Sequence, residues 1–356
     1  MAKQATIIDV ARHAGVSIKT VSRVVNNEPH VQDHTRGKVL AAIQRLGYSP
    51  NAIAREMVTQ ATRVVAFVFA TRERMFCRET YFTEIFDSAQ RELLERNYFT
   101  LFLAPGNAPA DPLAYAFDLV RQRKVSGVIL ADLTGGAPPD PAAQTTPIVH
   151  LTRPLRGKKA ASVFPDNEGG MEQVVGCLAE LGHRRIGFLG RMPGRHSAET
   201  RLRGFEKAMR RRGLAVDPGL IVDVLENTPE AGAAAVSKFV SAAKTLPTAL
   251  CGFTDIMGLT ALAELQRLGL RVPHDISVTG FDDIDMCSLS VPGLTTVQVR
   301  RDEIGRVAAR KLIAMIEGAQ DGDSTLVQTR LVARGSTAPP RPAAARPRRN
   351  AAACLP

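Results

Sequence analysis

The stretch "TIIDVARHAGVSIKTVSRVVNN", residues 6–27, predicts two short helices joined by a tight turn. Thr6 is a preferred N-cap residue type, so a first helix is expected near Ile7–Ala14. Gly15 can adopt a backbone conformation that other residues resist, and Ser17 is expected to cap a second helix. Valines at helical spacing supply the apolar contacts between the two helices. The stretch therefore predicts a compact helical hairpin near the N-terminus.

The second helix of this hairpin, predicted to run to about Asn26, has two different faces. One face carries the side chains of Ile18, Lys19, Ser22, Arg23 and Asn26. A third helix is expected to start at a Thr35 cap and to end at Gly47. Its apolar stripe comprises Val39, Leu40, Ile43 and Leu46. Three such helices form the helix-turn-helix arrangement, whose second helix enters the DNA major groove. The alternative is an ordinary helical hairpin with a solvated charged face.

Length and charge indicate the class of protein. A chain of 356 residues is too long for one hydrophobic core, so two or three domains are expected. The net charge is +11, and its basic excess lies at the two ends. Residues 1–63 hold nine Lys or Arg against four Asp or Glu, and residues 334–356 hold five Arg and no acid. A basic end on a near-neutral body indicates a polyanion as the partner of that end.

Several classes of site and location are not expected from the sequence. The five cysteines are widely spread and form no CxxC pair, which argues against a disulfide framework or a zinc site. The acidic stretch "FDDIDMC" lacks histidines and calcium-loop spacing, so no metal site is predicted. Without a phosphate-binding loop or a nucleophile elbow, no cofactor and no catalytic residues are predicted. Neither a long apolar run nor a signal-peptide pattern occurs, so we expect a cytoplasmic location and no membrane partner.

From Val64 onward, short apolar runs alternate with amphipathic stretches. Buried strands are predicted at 64–70, 99–104, 126–131, 184–190, 248–253 and 275–281. Strands that alternate with helices imply parallel sheets covered on both faces. Their number predicts an α/β core with two such sheets, one in each of two lobes. Ligands of such sheets bind outside the carboxyl ends of the strands, here in the cleft between the lobes.

Several motifs resemble one protein family. The stretches "TIIDVARHAGVSIKTVSRVVNN" and "TRGKVLAAIQRLGYSPNAIARE" closely resemble the DNA-binding headpiece and hinge of the LacI/GalR family of bacterial transcription regulators. "VFPDNEGG", "LGHRRIGFLG", "RLRGFEKAM", "RVPHDISVTGFDD" and "PGLTTVQV" resemble the family's effector-binding core, a two-lobed periplasmic-binding-protein-like fold with parallel sheets. The resemblance implies a ligand-responsive, sequence-specific DNA-binding regulator, most often a repressor in this family, controlled by a small metabolite.

The resemblance assigns DNA contacts to residues of the headpiece and hinge. Ile18, Lys19 and Arg23 match positions that read base edges. The positions that match phosphate contacts are Thr6, Ser17, Thr20, Ser22, Asn26 and His30. Without the resemblance, His30 is interpreted as an ordinary surface histidine. Hinge helices of two subunits pair over the minor groove in this family, and the matching contacts are Asn51, Ala54 and Met57. Met57 stands where the family has a wedging leucine, and Glu56 replaces a residue that is usually small or neutral.

The resemblance also assigns effector contacts. Asp282 and Arg201 match the family's effector-anchoring aspartate and arginine, which suit a polyhydroxylated or heterocyclic ligand. The alternative for both is a structural salt bridge or a helix cap. The other predicted contacts are Tyr81, Phe82, Arg195, Ser197 and Thr254. Tyr81 and Phe82 either stack on the ligand or belong to the core. The effector class stays open between sugars, sugar acids, sugar phosphates and purines, because "GRHSAETRLRGF" and "CGFTDIMG" resemble the purine-responsive branch only over short stretches.

The predicted domain boundaries follow from these assignments. Residues 1–50 form the headpiece, 51–63 the hinge, 64–335 the core, and 336–356 a disordered basic tail. Lobe 1 comprises about 64–163 and 294–323, and lobe 2 about 164–293 and 324–335. The tail lacks the leucine heptad that makes tetramers in this family, so a homodimer on pseudo-palindromic operator DNA is expected. The alternative functions are a cytoplasmic solute-binding protein and an enzyme on the same core.

Overall fold

The computed structural model describes residues 5–25, 29, 31–48, 62–69, 80–104, 111–132, 145–154, 160–319 and 323–341. The chain divides into two compact units, Met1–Thr62 and Arg63–Pro356. Five predicted DNA contacts lie outside the described residues: Asn26, His30, Asn51, Ala54 and Met57. The predicted hinge helix and the chain beyond residue 341 also lie outside them. Within the described ranges, no helix has the length and apolar character needed to cross a membrane.

The headpiece is built from three helices, α1 Ile7–Ala14, α2 Ile18–Val25 and α3 Asp33–Leu46. Thr6 and Asp9 form a reciprocal capping box at the start of α1, and Gly15 ends this helix with a left-handed φ of 66°. The Ser17 hydroxyl accepts the Thr20 amide at 3.1 Å and so caps α2. The buried side chains between the helices are Val10, Ala11, Val21, Val24, Val39 and Ala42. The predicted helices and caps of α1 and α2 are present.

Two predictions for α3 are wrong. The helix begins at Asp33 rather than after a Thr35 cap, and its N-cap residue, Gln32, makes no side-chain capping bond. An acidic residue in the first turn interacts favourably with the helix dipole, which supports the earlier start. Leu40 was predicted to be buried, yet 52% of its surface is exposed. The buried stripe follows a spacing of three or four residues from Val39, which places Ala42 inside and Leu40 outside.

The core consists of strands and helices that alternate along the chain. Its strands are β1 Val64–Phe69, β2 Phe99–Leu103, β3 Gly127–Asp132, β4 Ile148–His150, β5 Ala160–Pro165, β6 Ile186–Arg191, β7 Ile221–Asp223, β8 Ala249–Gly252, β9 Ser277–Thr279, β10 Thr296–Val299, β11 Ser324–Val327 and β12 Thr329–Val332. Its helices are α4 Thr80–Glu95, α5 Pro112–Arg121, α6 Asn167–Glu180, α7 His196–Arg211, α8 Pro229–Ala242, α9 Asp255–Arg267, α10 Met286–Leu289 and α11 Arg301–Ile316. A 3-10 turn occupies Pro218–Leu220.

The strands form two parallel sheets, one in each lobe, as predicted. The first sheet has six strands in the order β11-β5-β4-β3-β1-β2, and the second has four in the order β7-β6-β8-β9. The strands are rich in Val, Ile, Leu and Phe, and the inner strands are almost entirely buried because helices cover both faces of each sheet, whereas the edge strands β2, β7 and β11 are partly exposed. A two-stranded antiparallel ribbon of β10 and β12 joins the lobes. Isolated bridges Thr279↔Thr295 and Asp282↔Gln298 tie this ribbon to the second lobe.

Two of the predicted lobe boundaries are wrong near the crossovers between the lobes. Residues 324–327 were assigned to lobe 2, but β11 pairs in register with β5 and completes the first sheet. Residues 296–299 were assigned to lobe 1, but β10 runs beside the end of β9 in the second lobe. The short strands at these crossovers carry no pattern that tells one sheet from another, because either sheet offers the same backbone hydrogen bonds.

The prediction of a disordered tail from residue 336 is wrong for residues 336–341. Ser336 is fully buried, its hydroxyl donates to the Val278 carbonyl at 2.6 Å, and it accepts the Thr295 amide at 2.8 Å. The Ala338 carbonyl lies 3.0 Å from Nε2 of the buried His183. These hydrogen bonds satisfy buried polar groups of the second lobe, which a composition rich in Pro and Ala does not reveal.

Candidate functional site

Two regions of the chain hold the predicted functional residues, and the first is one face of α2. Ser17, Ile18 and Lys19 are exposed on it, and Ile18 keeps 48% of its surface accessible. Val21 and Val24 lie on the opposite face and are buried in the headpiece core. The helix therefore presents a cation and an isolated apolar side chain to solvent on a rigid support. A helix of this shape fits a major groove, where lysine donates to guanine and an apolar group contacts the thymine methyl.

The remaining described headpiece residues surround this face. Thr20, Ser22 and Arg23 are half-buried, and the hydroxyls of Ser17 and Thr20 are 2.9 Å apart. Thr6 is exposed, and its hydroxyl donates to the Asp9 carboxylate at 2.6 Å. These hydroxyls already support the helix ends. Their role in holding phosphates stays a prediction.

The second region is a cavity of about 200 Å³ between the two lobes of the core. It lies at the carboxyl ends of strands in both sheets, where ligands of such folds bind. All seven predicted effector contacts line it: Tyr81, Phe82, Arg195, Ser197, Arg201, Thr254 and Asp282. Their sharing of one cavity supports the predicted grouping. That they contact an effector stays a prediction.

Arg201 and Asp282 form a buried ion pair at this cavity. The Arg201 side chain is 3% exposed, and its Nη2 donates to Asp282 Oδ1 at 2.9 Å. Its Nε donates to Asn167 Oδ1 at 2.8 Å and its Nη1 to the Phe253 carbonyl at 2.5 Å. The guanidinium carbon lies 3.8 Å from the ring centre of Phe281. The structural salt bridge, which was the alternative interpretation, is therefore present in residues that also line the cavity.

Asp282 is held in an unusual backbone conformation. Its φ is 125° and that of Asp283 is 57°, both in the region that favours glycine. Burial raises the pKa of the Asp282 carboxyl, and the Arg201 guanidinium opposes this rise. A carboxylate in this position can accept hydrogen bonds from hydroxyl or amine groups of a ligand.

The two aromatic contacts belong to α4 and serve the core as well as the cavity. Phe82 is 4% exposed, and its ring centre lies 5.1 Å from that of Phe69 in an edge-to-face arrangement. Tyr81 is half-buried and packs edge-to-face on Phe82 at 5.0 Å. The pair therefore packs in the core and also lines the cavity, and its stacking on a ligand stays a prediction.

Thr254 caps α9 and is already hydrogen-bonded. Its hydroxyl donates to Asn227 Oδ1 at 2.7 Å and accepts the Met257 amide at 3.3 Å. Arg195 and Ser197 flank the first residue of α7 and are half-buried. Thr254 therefore shapes the cavity and orients Asn227, which the sequence analysis did not select.

Nine lining residues were missed by the sequence analysis: Thr152, Pro165, Asn167, Asn227, Phe253, Asp255, Ile256, Ile284 and Met286. Among these residues, Asp255 has a strongly shifted pKa. Burial, reinforced by the nearby Asp282, raises the pKa of Asp255 to about 6. Its carboxylate accepts hydrogen bonds from the Thr296 hydroxyl and, at 2.8 Å, from the Ile284 amide. Thr152, Asn167, Phe253 and Asp255 lie within three residues after the end of a strand, and that placement is the signal that could have found them.

Two of the three acids of "FDDIDMC" are held by arginines. Asp282 pairs with Arg201, and Asp283 Oδ1 accepts from Arg334 Nη2 at 2.7 Å. Among the described residues, no group of three or more His, Cys, Asp or Glu side chains is arranged to hold a metal ion.

Comparison with known proteins finds a matching family profile for each of the two regions. The family profile described as bacterial regulatory proteins, lacI family, matches residues 6–51. The profile of a periplasmic binding protein-like domain matches residues 175–337. The chain is 31% identical over 322 residues to the HTH-type transcriptional repressor PurR of Haemophilus influenzae (strain PittEE), covering 89% of this chain and 93% of that protein.

Solved structures give the same result. The transcriptional regulator CelR in complex with cellobiose superposes with a TM-score of 0.70 at 30% identity, covering 93% of this chain and 99% of that one. The Lac repressor dimer bound to operator and the anti-inducer ONPF superposes with a TM-score of 0.79 at 26% identity, covering 94% of this chain and 100% of that one.

Proposed function

The chain belongs to the LacI family of bacterial regulatory proteins, and from this membership we propose that two copies bind a pseudo-palindromic operator under the control of a small metabolite. It is a ligand-responsive, sequence-specific DNA-binding transcription repressor and not an enzyme. The relative that is solved as a dimer on its operator supports the homodimer. Operator DNA places the protein in the bacterial cytoplasm, associated with the nucleoid when bound.

The observation that carries this proposal is the division of α2 into two faces. Ile18 and Lys19 stand exposed on a helix whose opposite side is buried in the headpiece core. Ile18, Lys19 and Arg23 read base edges in the major groove. The phosphate contacts are Thr6, Ser17, Thr20 and Ser22. For the five predicted contacts outside the described residues, the resemblance alone supports the same kind of role.

The DNA-reading role is tested by Lys19→Ala with Lys38→Ala as the matched control. Operator fragments are selected from random duplexes, and binding is measured by fluorescence anisotropy across single-base variants of each half-site. Lys19→Ala should relax base preference at one position of each half-site and cost about 1–3 kcal/mol per contact. Lys38 is exposed on α3, so its removal should leave base preference unchanged. An unaltered preference in Lys19→Ala would show that α2 does not read the bases.

The interlobe cavity is the proposed effector site. Its aromatic and aliphatic wall, together with a carboxylate, guanidinium and amide groups, suits a small polar molecule that also has an apolar face. Effector binding shifts the relative orientation of the lobes and thereby the affinity for the operator. The relative solved with cellobiose supports a sugar, and the short stretches that resemble the purine-responsive branch support a purine. Sugar acids and sugar phosphates complete the candidate classes.

The effector role of Asp282 is tested by a thermal-shift screen. The panel contains D-glucose, D-gluconate, D-glucose 6-phosphate, cellobiose, hypoxanthine and guanine. A ligand at one hundred times its Kd stabilises the folded state by about 2.7 kcal/mol, which raises the melting temperature by several degrees. The shift should disappear in Asp282→Asn and persist in Asp118→Asn, whose carboxylate is half-exposed on α5. A shift that survives in Asp282→Asn would place the effector elsewhere.

A further inference from the structure

The turn that follows β9 needs support from outside itself. Asp282 and Asp283 both have positive φ, a conformation that costs energy in residues other than glycine. The Asp283 carboxylate is held by Gln298 of the ribbon strand β10 at 3.2 Å and by Arg334, two residues beyond β12, at 2.7 Å. These bonds fix the Asp283 side chain. The Asp282 backbone also pairs with the ribbon, because its amide donates to the Val297 carbonyl at 2.8 Å and its carbonyl accepts from the Val299 amide at 3.4 Å.

Arg301 binds that backbone from the other lobe. It is the first residue of α11, which packs against α4 and the strands of the first sheet, and it is 7% exposed. Its Nη1 donates to the Asp282 carbonyl, and its Nη2 donates to the Asp283 carbonyl at 3.1 Å. One guanidinium of the first lobe thus binds two consecutive carbonyls of the strained turn in the second lobe.

Glu84 orients this guanidinium. Its Oε2 accepts from Arg301 Nε at 2.7 Å, and its Oε1 accepts from Nη2 at 3.1 Å, which is a two-point contact that fixes the guanidinium plane. Glu84 lies on α4, three residues after Tyr81, so the helix that supplies the aromatic wall of the cavity also directs Arg301.

We infer that Glu84 and Arg301 are positioning residues for Asp282, and that they make the placement of the effector-anchoring carboxylate depend on the position of the first lobe. The inference rests on the proposed effector cavity. Lobe separation would remove Arg301 from the two carbonyls, and the strained turn would then keep only its contacts with the ribbon and with Arg334, which hold its cavity-forming conformation less firmly. Occupancy of the cavity and the relative position of the lobes are therefore coupled through this pair.

The test is hydrogen–deuterium exchange with mass spectrometry on the full-length, ligand-free protein. Glu84→Gln should accelerate exchange of amides in the segment 282–287 about fivefold. The expected factor is modest because Glu84 is partly exposed, and solvent weakens its ion pair with Arg301. The affected segment lies in the other lobe and includes the Asp282 amide, which donates to the Val297 carbonyl. Asp87→Asn is the matched control, because Asp87 lies on the same helix in an exposed ion pair with Arg91. It should leave the segment unchanged.

A double-mutant cycle separates positioning from a local structural role. Arg301→Gln should accelerate exchange in the segment about tenfold or more, and adding Glu84→Gln should have no further effect, because Glu84 acts through Arg301. Arg301→Lys, which keeps the charge but not the fork, should fall between wild type and Arg301→Gln. Wild-type exchange in Glu84→Gln, or independent effects of the two changes, would overturn the inference. Neither DNA nor effector enters the measurement, so its outcome is independent of the thermal-shift screen.

Discussion

The α2 surface of the headpiece and the interlobe cavity of the core use their side chains in opposite ways. On α2, the exposed pair Ile18 and Lys19 makes no part of the core, and Val21 carries the packing on the other side. In the cavity, Arg201 and Asp282 line the space and at the same time hold the surrounding loops together. We therefore expect function and stability to be separable on α2 and inseparable in the cavity.

The difference follows from the number of chain segments involved. A helix gives each residue a face of its own, so a few local residues can fold the unit while their neighbours stay free for a partner. A cavity between two lobes exists only if loops from distant segments are held apart and their side chains are directed into the space between them. The side chains that position these loops are therefore buried together with the side chains that are proposed to bind the effector. We therefore expect substitutions in the two regions to separate binding from stability to different degrees.

The largest effect is expected for Arg201→Met, which leaves the Asp282 carboxylate buried without its cation. Breaking a buried pair on one side costs about 3–5 kcal/mol in the free energy of unfolding. Urea denaturation of the full chain measures this loss. Arg203→Met is the control, since Arg203 lies on the same helix with 59% of its side chain exposed, and it should cost less than about 1 kcal/mol. A loss below 1 kcal/mol in Arg201→Met would show that the cavity tolerates change as α2 does.

A smaller loss of stability is expected when acid favours protonation of His150, a fully buried residue at the end of β4. Burial, with Arg153 nearby, lowers the pKa of His150 from 6.5 to about 3. Because the folded pKa lies below the unfolded value, His150 stabilises the fold fully above pH 6.5, and this contribution is lost as pH falls. From pH 6.5 to about 5 the loss is about 2 kcal/mol.

This loss is measured by urea denaturation of wild type and His150→Asn at several pH values. Asparagine retains an acceptor for the Thr152 and Arg153 amides, which the His150 Nδ1 accepts at 3.2 and 3.1 Å. His150→Asn should lose less stability on acidification than wild type, whereas His34→Asn in the exposed part of the headpiece should follow wild type. Parallel curves for wild type and His150→Asn would contradict the prediction.

The smallest effect separates the two faces of α2 directly. Val21→Ala removes about 1.5 kcal/mol of headpiece stability, because each buried CH2 group contributes about 0.8 kcal/mol. Hydrogen exchange in α1 and α3 reports this loss. Ile18→Ala should leave exchange unchanged and weaken operator binding by about 1 kcal/mol or less, through the lost contact with a thymine methyl. Equal effects of both substitutions on exchange would mean that the two faces are not independent.

Sequence reasoning succeeded where the signal lies within one helix or strand. The caps at Thr6 and Ser17, the Gly15 turn and the six predicted strands are all present. It failed where the pattern within an element was ambiguous. The predicted Thr35 cap was a few residues away from the observed start of α3 at Asp33. The predicted burial of Leu40 was wrong by about 100° of rotation around the helix axis, because the apolar stripe of one short helix does not define its buried face that closely.

The cavity shows a different limit. Asp282 and Arg201 were assigned through family motifs, whereas Asn167, Asn227 and Asp255 carry no local pattern that marks them as neighbours of the site. The pairing of Glu84 with Arg301 joins residues 217 positions apart. No periodicity or spacing predicts such a contact, because it depends on how the helices of the first lobe pack together.

The helices of the headpiece, the exposed face of α2 and the existence of two parallel sheets follow from local patterns of residues. These properties depend on the alternation of apolar and polar residues over a few turns and on caps that act within three residues. The sheet that receives β11, the hydrogen bonds by which Ser336 secures the C-terminal segment, and the loops that enclose the cavity depend instead on long-range packing. Those outcomes require buried donors and acceptors from distant segments to satisfy one another, and that condition is met only once the chain has packed.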